Sequence, residues 1–170
     1  MSGNRKIQHE ALSSQLDRTH QFFPRADNKV SALFAILSAQ IAIAALNMIP
    51  ADLKVWWIAI PLAAFAFLSA WVLFNLYRCS YPNLEGGNSS LLYFKEIAKL
   101  REAEYVEKLT GLKEAEYIED LAAQIWRNSE ILNKKFDALR RANIGTMWSL
   151  LPWSAYLLAV SVNASRAPLI

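Results

Sequence analysis

The chain has 170 residues, a formal net charge of +3 and a hydrophobic fraction of 54%. That length holds one domain, or one small domain with membrane segments. Eighteen cations against fifteen anions leave no long basic patch, which excludes a nucleic-acid surface, and the single Cys79 excludes an intramolecular disulfide and a cysteine-based zinc site.

In chain order, Ile7, Leu12, Leu16, Thr19 and Phe23 recur at helical spacing and predict an N-terminal helix over 1–23. Pro24 is expected to interrupt it and to open the next helix as its first residue. The first thirty residues are polar, so a cleavable leader is not expected. Residues 30–49 carry no charge, and at about 1.5 Å per residue such a helix spans roughly 30 Å, the hydrocarbon core of a bilayer. Residues 55–77 are also free of charge, begin with Trp56 and Trp57 and end at Tyr77, as aromatic belts at two interfaces require. The short link 50–54 makes the two runs an antiparallel transmembrane hairpin, placed at 24–77.

The stretch "CSYPNLEGGNSS" reads as a loop. A helix is predicted over 91–109, punctuated by Thr110-Gly111, and a longer one over 112–142. Ile118, Leu121, Ile125, Leu132 and Leu139 form an apolar seam on the latter, with Asn128 and Lys135 at seam positions. Such a seam either packs on the other cytosolic helices or joins two copies of the chain. Residues 144–162 form a third uncharged run, interrupted by Pro152, which either spans or lies along the interface. Gly145 is the one residue arguing against a helix shared between this run and the preceding one. The expected fold is an all-α membrane protein: N-terminal helix (1–23), transmembrane hairpin (24–77), cytosolic helical hairpin (78–143), and a third transmembrane helix with a short tail (144–170).

Three crossings would put sixteen of the eighteen cations on one side, so the N-terminus and the central region are expected in the cytosol of a multi-pass protein. Catalytic chemistry is missing: there is no activated nucleophile, no phosphate loop beyond the lone Gly86-Gly87, and no third metal ligand near His9 and His20, which read as surface or packing residues. No enzyme, cofactor or metal is expected. The near echo "REAEYVEKL" and "KEAEYIEDL" places Tyr105 and Tyr117 in like settings. Cys79 reads as an interfacial residue or an acylation site. Arg25 and Lys29 lie one helical turn apart at the membrane surface, with Asp27 pointing elsewhere. The cations call for an anion, which is either a lipid phosphate, a ligand phosphate, or carboxylates of the central helices. Asp27 calls for its own partner, such as Lys95, Lys134 or Arg140.

The segments "RADNKVSALFA", "YFKEI" and "YIEDLAAQIWRNSEILNKKFDALRRA", in this order around a membrane hairpin and before a last span, resemble the Pycsar transmembrane effectors of bacterial antiphage defence. The resemblance implies an inner-membrane protein activated by a cyclic pyrimidine mononucleotide, cCMP or cUMP, which damages that membrane so that infected cells stop growing or die before phage mature; related membrane effectors occur with other cyclic-nucleotide systems, so likeness alone does not fix the nucleotide. A ligand bound between copies would favour assembly, so a homo-oligomer is expected. Positions matching the family pattern are Arg25, Asp27, Lys29, Tyr93, Phe94, Asp120, Asn128 and Lys135. Of these, Arg25, Asp27, Lys29, Tyr93, Asn128 and Lys135 are the candidate ligand-binding set. Arg25, Lys29 or Lys135 suits the phosphate, while Tyr93, Tyr117 or Trp126 suits stacking on the base. The rival readings are a constitutive membrane scaffold, whose cytosolic helices bind a protein partner, and a small channel. Against a channel stands the absence of ionisable residues in all three runs.

Overall fold

A computed structural model of the chain describes residues 2–81 and 89–166. Its elements are α1 (Ser2–Leu46), a 3₁₀ turn (Pro50–Lys54), α2 (Trp56–Ser80), α3 (Phe94–Ile97), α4 (Glu102–Thr110) and α5 (Glu114–Arg166), with no strand among the described residues. The all-α expectation stands. Most of the predicted loop after α2 lies outside the described residues.

Several boundaries differ from the sequence reading. Pro24 does not interrupt the first helix; it lies inside α1. A proline there removes one backbone hydrogen bond and costs about 3 kcal/mol. Packed neighbours hold the helix through it, since Thr19 and Ala26 are both buried. The helix predicted over 91–109 is two pieces, because extended backbone at Arg101 (φ −74°, ψ 150°) ends the turn after α3 and restarts the chain as α4. Glu102 and Glu104 then favour the new N-terminus. Thr110-Gly111 does end α4. Neither Gly145 nor Pro152 breaks α5, which runs unbroken for 53 residues.

The residues form two compact units, Met1–Ala26 with Tyr81–Lys134, and Asp27–Ser80 with Lys135–Ile170. In the first, the rings of His9 and Tyr117 stack with centroids 5.3 Å apart. Asn128 Nδ2 donates to His20 Nε2 at 3.1 Å. Partner numbers rise together along both helices, so the N-terminal parts of α1 and α5 run parallel. The two echo tyrosines do not share a setting: Tyr105 reaches the Leu91 carbonyl at 3.5 Å, whereas Tyr117 stacks on His9. One lies on a nine-residue helix and the other near the start of a long one, so likeness of local sequence does not carry likeness of neighbours.

The second unit is a three-helix bundle. Lys135 pairs with Asp27, Ser149 donates to Gln40 Oε1, Tyr156 donates to the Ala44 carbonyl and Asn163 donates to Asp52. That order makes α1 and α5 parallel here. Cys79 donates its thiol to the Lys135 carbonyl at one end of α2, and Ile58 joins Tyr156 in the core near the other, so α2 is antiparallel to both. Its interior mixes large apolar side chains, among them Leu37, Ile58, Phe65 and Val72, with small or polar ones, including Gly145, Thr146 and Ser149. The outer face is apolar on all three helices, with Phe34, Phe67, Phe74, Met147, Leu151 and Leu158 exposed. By length and composition α1 over Ile7–Leu46 and α2 are able to cross a membrane.

At Gly145, α5 lies close against α2. A Cβ there would lie 2.6 Å from the Trp71 ring and 2.7 Å from Val72 Cγ2. We expect Gly145→Val to destabilise the bundle by about 1–3 kcal/mol, read as a lowered melting temperature in detergent by tryptophan fluorescence.

Candidate functional site

In the first unit, a short polar knot fastens the segment before α3 onto α5. Leu91 N donates to Asp120 Oδ2 at 3.0 Å, and Gln124 Nε2 donates to Ser90 Oγ at 2.9 Å. The same Ser90 oxygen accepts from the backbone N–H groups of Leu92 and Tyr93, each at 3.1 Å, which ties down the two residues before α3. Asp120 and Gln124 share a face of α5 because they lie one turn apart. Ser89 adopts the left-handed region at φ 64°, which turns the chain into this knot.

Beside the knot lies a pocket of about 370 Å³, lined among others by Ser89, Ser90, Glu96, Lys99, Lys108 and Glu116. Lys99 pairs with Glu96 at 2.6 Å, and Lys108 with Glu104 at 2.8 Å. The hydrogen bond from Lys99 is the main reason the Glu96 carboxyl is held below its ordinary range. Both lysine side chains are exposed, 62% at Lys99 and 49% at Lys108, and pairs so open to water are weak. Sequence reasoning missed Ser90, Gln124, Lys99 and Lys108 as a set. The available signal was the Ser89-Ser90 pair, whose hydroxyls suit a local turn onto the backbone two or three residues on.

The six candidate ligand residues fall on both units. On the first, Arg25 stacks over the Phe22 ring at 5.4 Å, Tyr93 packs edge-on against Phe94, and Asn128 is bonded to His20. On the second, Asp27 and Lys135 bond each other at 2.8 Å, and Lys29 lines a groove with Arg140. The partner of Asp27 is therefore none of Lys95, Lys134 and Arg140. Parallel pairing puts Lys135 opposite Asp27, and Lys134 pairs within its own helix with Glu130. Along the seam, Leu121 and Leu139 are buried within the chain, while Ile118, Ile125 and Leu132 are half-buried. Cys79 is fully buried, which removes it as an acylation site in this arrangement.

The second unit also buries Gln40, Ser69, Asn75, Thr146 and Ser149. Most bond within the bundle: Asn75 to the Trp71 carbonyl, Thr146 to the Ala142 carbonyl and Ser149 to the Thr146 carbonyl. Gln40 Nε2 and Ser69 Oγ have no hydrogen-bond partner among the described residues.

Compared with known families, residues 11–161 match the model of the Pycsar effector protein domain. Neither a curated protein nor a solved structure matches the chain.

The knot generates a direct check. Asp120→Ala leaves the Leu91 N–H without its acceptor, at a cost of about 1–3 kcal/mol. Amide hydrogen exchange at Leu91 to Tyr93 should rise by about tenfold or more, while exchange in the middle of α2 stays unchanged.

Proposed function

The chain belongs to the family of Pycsar effector proteins, effectors of antiphage defence, and from that membership we propose a cyclic-nucleotide-gated protein that impairs the inner membrane. The activating ligand is a cyclic pyrimidine mononucleotide, cCMP or cUMP. Loss of membrane integrity stops the infected cell before phage mature.

The second unit is the membrane part, and all three of its helices cross. From Lys135 to Asn163, α5 covers roughly 42 Å at about 1.5 Å per residue, close to the full thickness of a bilayer with its headgroups. Its outward residues Met147, Trp148, Leu151 and Leu158 are exposed, which water would penalise and lipid accepts. The Asp27–Lys135 end faces the cytosol with most of the cations, leaving the turn Pro50–Lys54 outside.

The observation that carries the reading is the pair of orphaned groups, Gln40 Nε2 and Ser69 Oγ, inside a bundle with an apolar exterior. An unpaired buried donor costs about 1–3 kcal/mol. The closed bundle is thereby held near its limit, and rearranged helices would expose a polar lining. The first unit receives the nucleotide in the pocket beside the Ser90 knot, with its phosphate on Lys99 and Lys108. Binding favours assembly of several copies, and assembly re-pairs the spans into a leak. A constitutive scaffold finds less support, since Leu121 of its docking seam is covered within the chain.

The test is dye release from liposomes carrying the inserted protein, with cCMP, cUMP, cAMP and cGMP added in turn. Release with a pyrimidine nucleotide alone is expected; silence with all four overturns the reading. Lys99→Gln with Lys108→Gln should raise the nucleotide concentration for half-release by about tenfold or more. Gln40→Leu removes the orphan amide, while Ser149 keeps its bond to the Thr146 carbonyl at 2.8 Å. This variant should melt higher and leak more slowly at saturating nucleotide.

A further inference from the structure

A groove of about 460 Å³ opens between α1 and α5 in the second unit. Lys29 and Arg140 line it together with Ala32, Leu33, Phe136 and Leu139. Lys29 is the last charge before the apolar run of α1, and Arg140 lies just before that of α5. The groove therefore carries cations where the polar chain ends and apolar side chains where the uncharged helix begins. Neither cation has an ion pair or hydrogen bond among the described residues; the nearby Asp27 is bonded to Lys135 instead. Two unpaired cations above a greasy slot are complementary to an anion that carries a hydrocarbon tail.

We propose that this groove seats an anionic phospholipid of the cytosolic leaflet, with its phosphate on Lys29 and Arg140 and its upper acyl chain against Leu33, Phe136 and Leu139. The proposal rests on the membrane reading given above, which sets this end of the bundle at the level of the bilayer phosphates. Basic pockets between transmembrane helices on the cytoplasmic side recognise anionic headgroups by this chemistry. The charges are long and flexible enough to meet a phosphate at the surface while their stems stay in the groove. A free nucleotide fits less well, because Asn143 is the one uncharged polar side chain lining the groove and leaves its base and ribose few hydrogen-bond partners.

The experiment uses the full chain in mixed vesicles of phosphatidylcholine and phosphatidylglycerol. Insertion is checked separately by resistance to alkaline carbonate, and bound lipid is counted by native mass spectrometry. Enrichment of phosphatidylglycerol is expected. Lys29→Gln with Arg140→Gln should lower it by roughly 25-fold, from about 1 kcal/mol per cation at 1.4 kcal/mol per tenfold. Lys29→Arg with Arg140→Lys should preserve it. An inserted glutamine variant that enriches phosphatidylglycerol as well as the wild type overturns the proposal. So does full displacement of the lipid by inorganic phosphate, which would make this a site for soluble anions. Failure of the wild type to resist carbonate overturns it too, and that result identifies the membrane reading as the fault. A second measurement leaves both cations in place: the fluorescence added by Leu33→Trp, taken as the difference from the wild type with its six tryptophans, should be quenched about twice as strongly by phosphatidylglycerol with brominated chains as by brominated phosphatidylcholine. Equal quenching by the two lipids also overturns the proposal.

Discussion

Lys135 extends its ammonium to Asp27 at 2.8 Å while its own side chain is only 13% exposed. Its backbone carbonyl accepts the Cys79 thiol. One residue of α5 thus touches both α1 and α2 at one level of the bundle. The ion pair by itself is worth little, because Asp27 remains 56% exposed and water screens it. Its effect is geometric. A helix that slips by one residue turns by about 100°, so fixing one pair fixes which face α5 turns inward. Ser149, Trp153 and Tyr156 then meet Gln40 and the carbonyls of Gln40 and Ala44, and Asn163 meets Asp52. A register shift would break all of these together.

The interior that results joins an apolar core around Ile58, Phe65 and Tyr156 to a set of buried polar side chains. Close approach and hydrogen bonds hold helices together even where the surroundings are as apolar as the core. Gly145 supplies the approach, with the Trp71 ring where a side chain would otherwise stand. Tyr156 and Trp153 supply the bonds, each donating to a main-chain oxygen of α1. Buried polar groups are costly where their bonds are unmade, and among the described residues Gln40 Nε2 and Ser69 Oγ are the two left so.

How much of this was legible beforehand depends on the range of each interaction. The apolar hairpin, the stop at Gly111 and the need of Asp27 for a cation are local facts of composition and spacing. Helix continuity through Pro24 was not local, because the cost of a proline is known but the packing that offsets it belongs to distant residues. The break before Arg101 was hidden because "EIAKLREAE" carries helix-favouring residues on both sides. The partner of Asp27 was one position from an anticipated residue, and only the parallel pairing of α1 with α5 selects it. The Ser90 knot escaped notice because Asp120 and Gln124 look like ordinary solvated residues until the segment before α3 lies across them. Of the candidate ligand set, the sequence indicated which charges were unusual but not which were already spent on each other.

The turn Pro50–Lys54 has a consequence for how the protein is made. Asp52 finds its partner at Asn163, and Gln40 finds Ser149, each more than a hundred residues later in the chain. At a synthesis rate of about 5–20 residues per second, the hairpin leaves the ribosome roughly 5–20 s before the helix that completes it. During that interval its carboxylate and amide have no intended partner. The hairpin has to be held by something other than its own final contacts, such as water at the bilayer surface or the insertion machinery, until α5 slides in alongside.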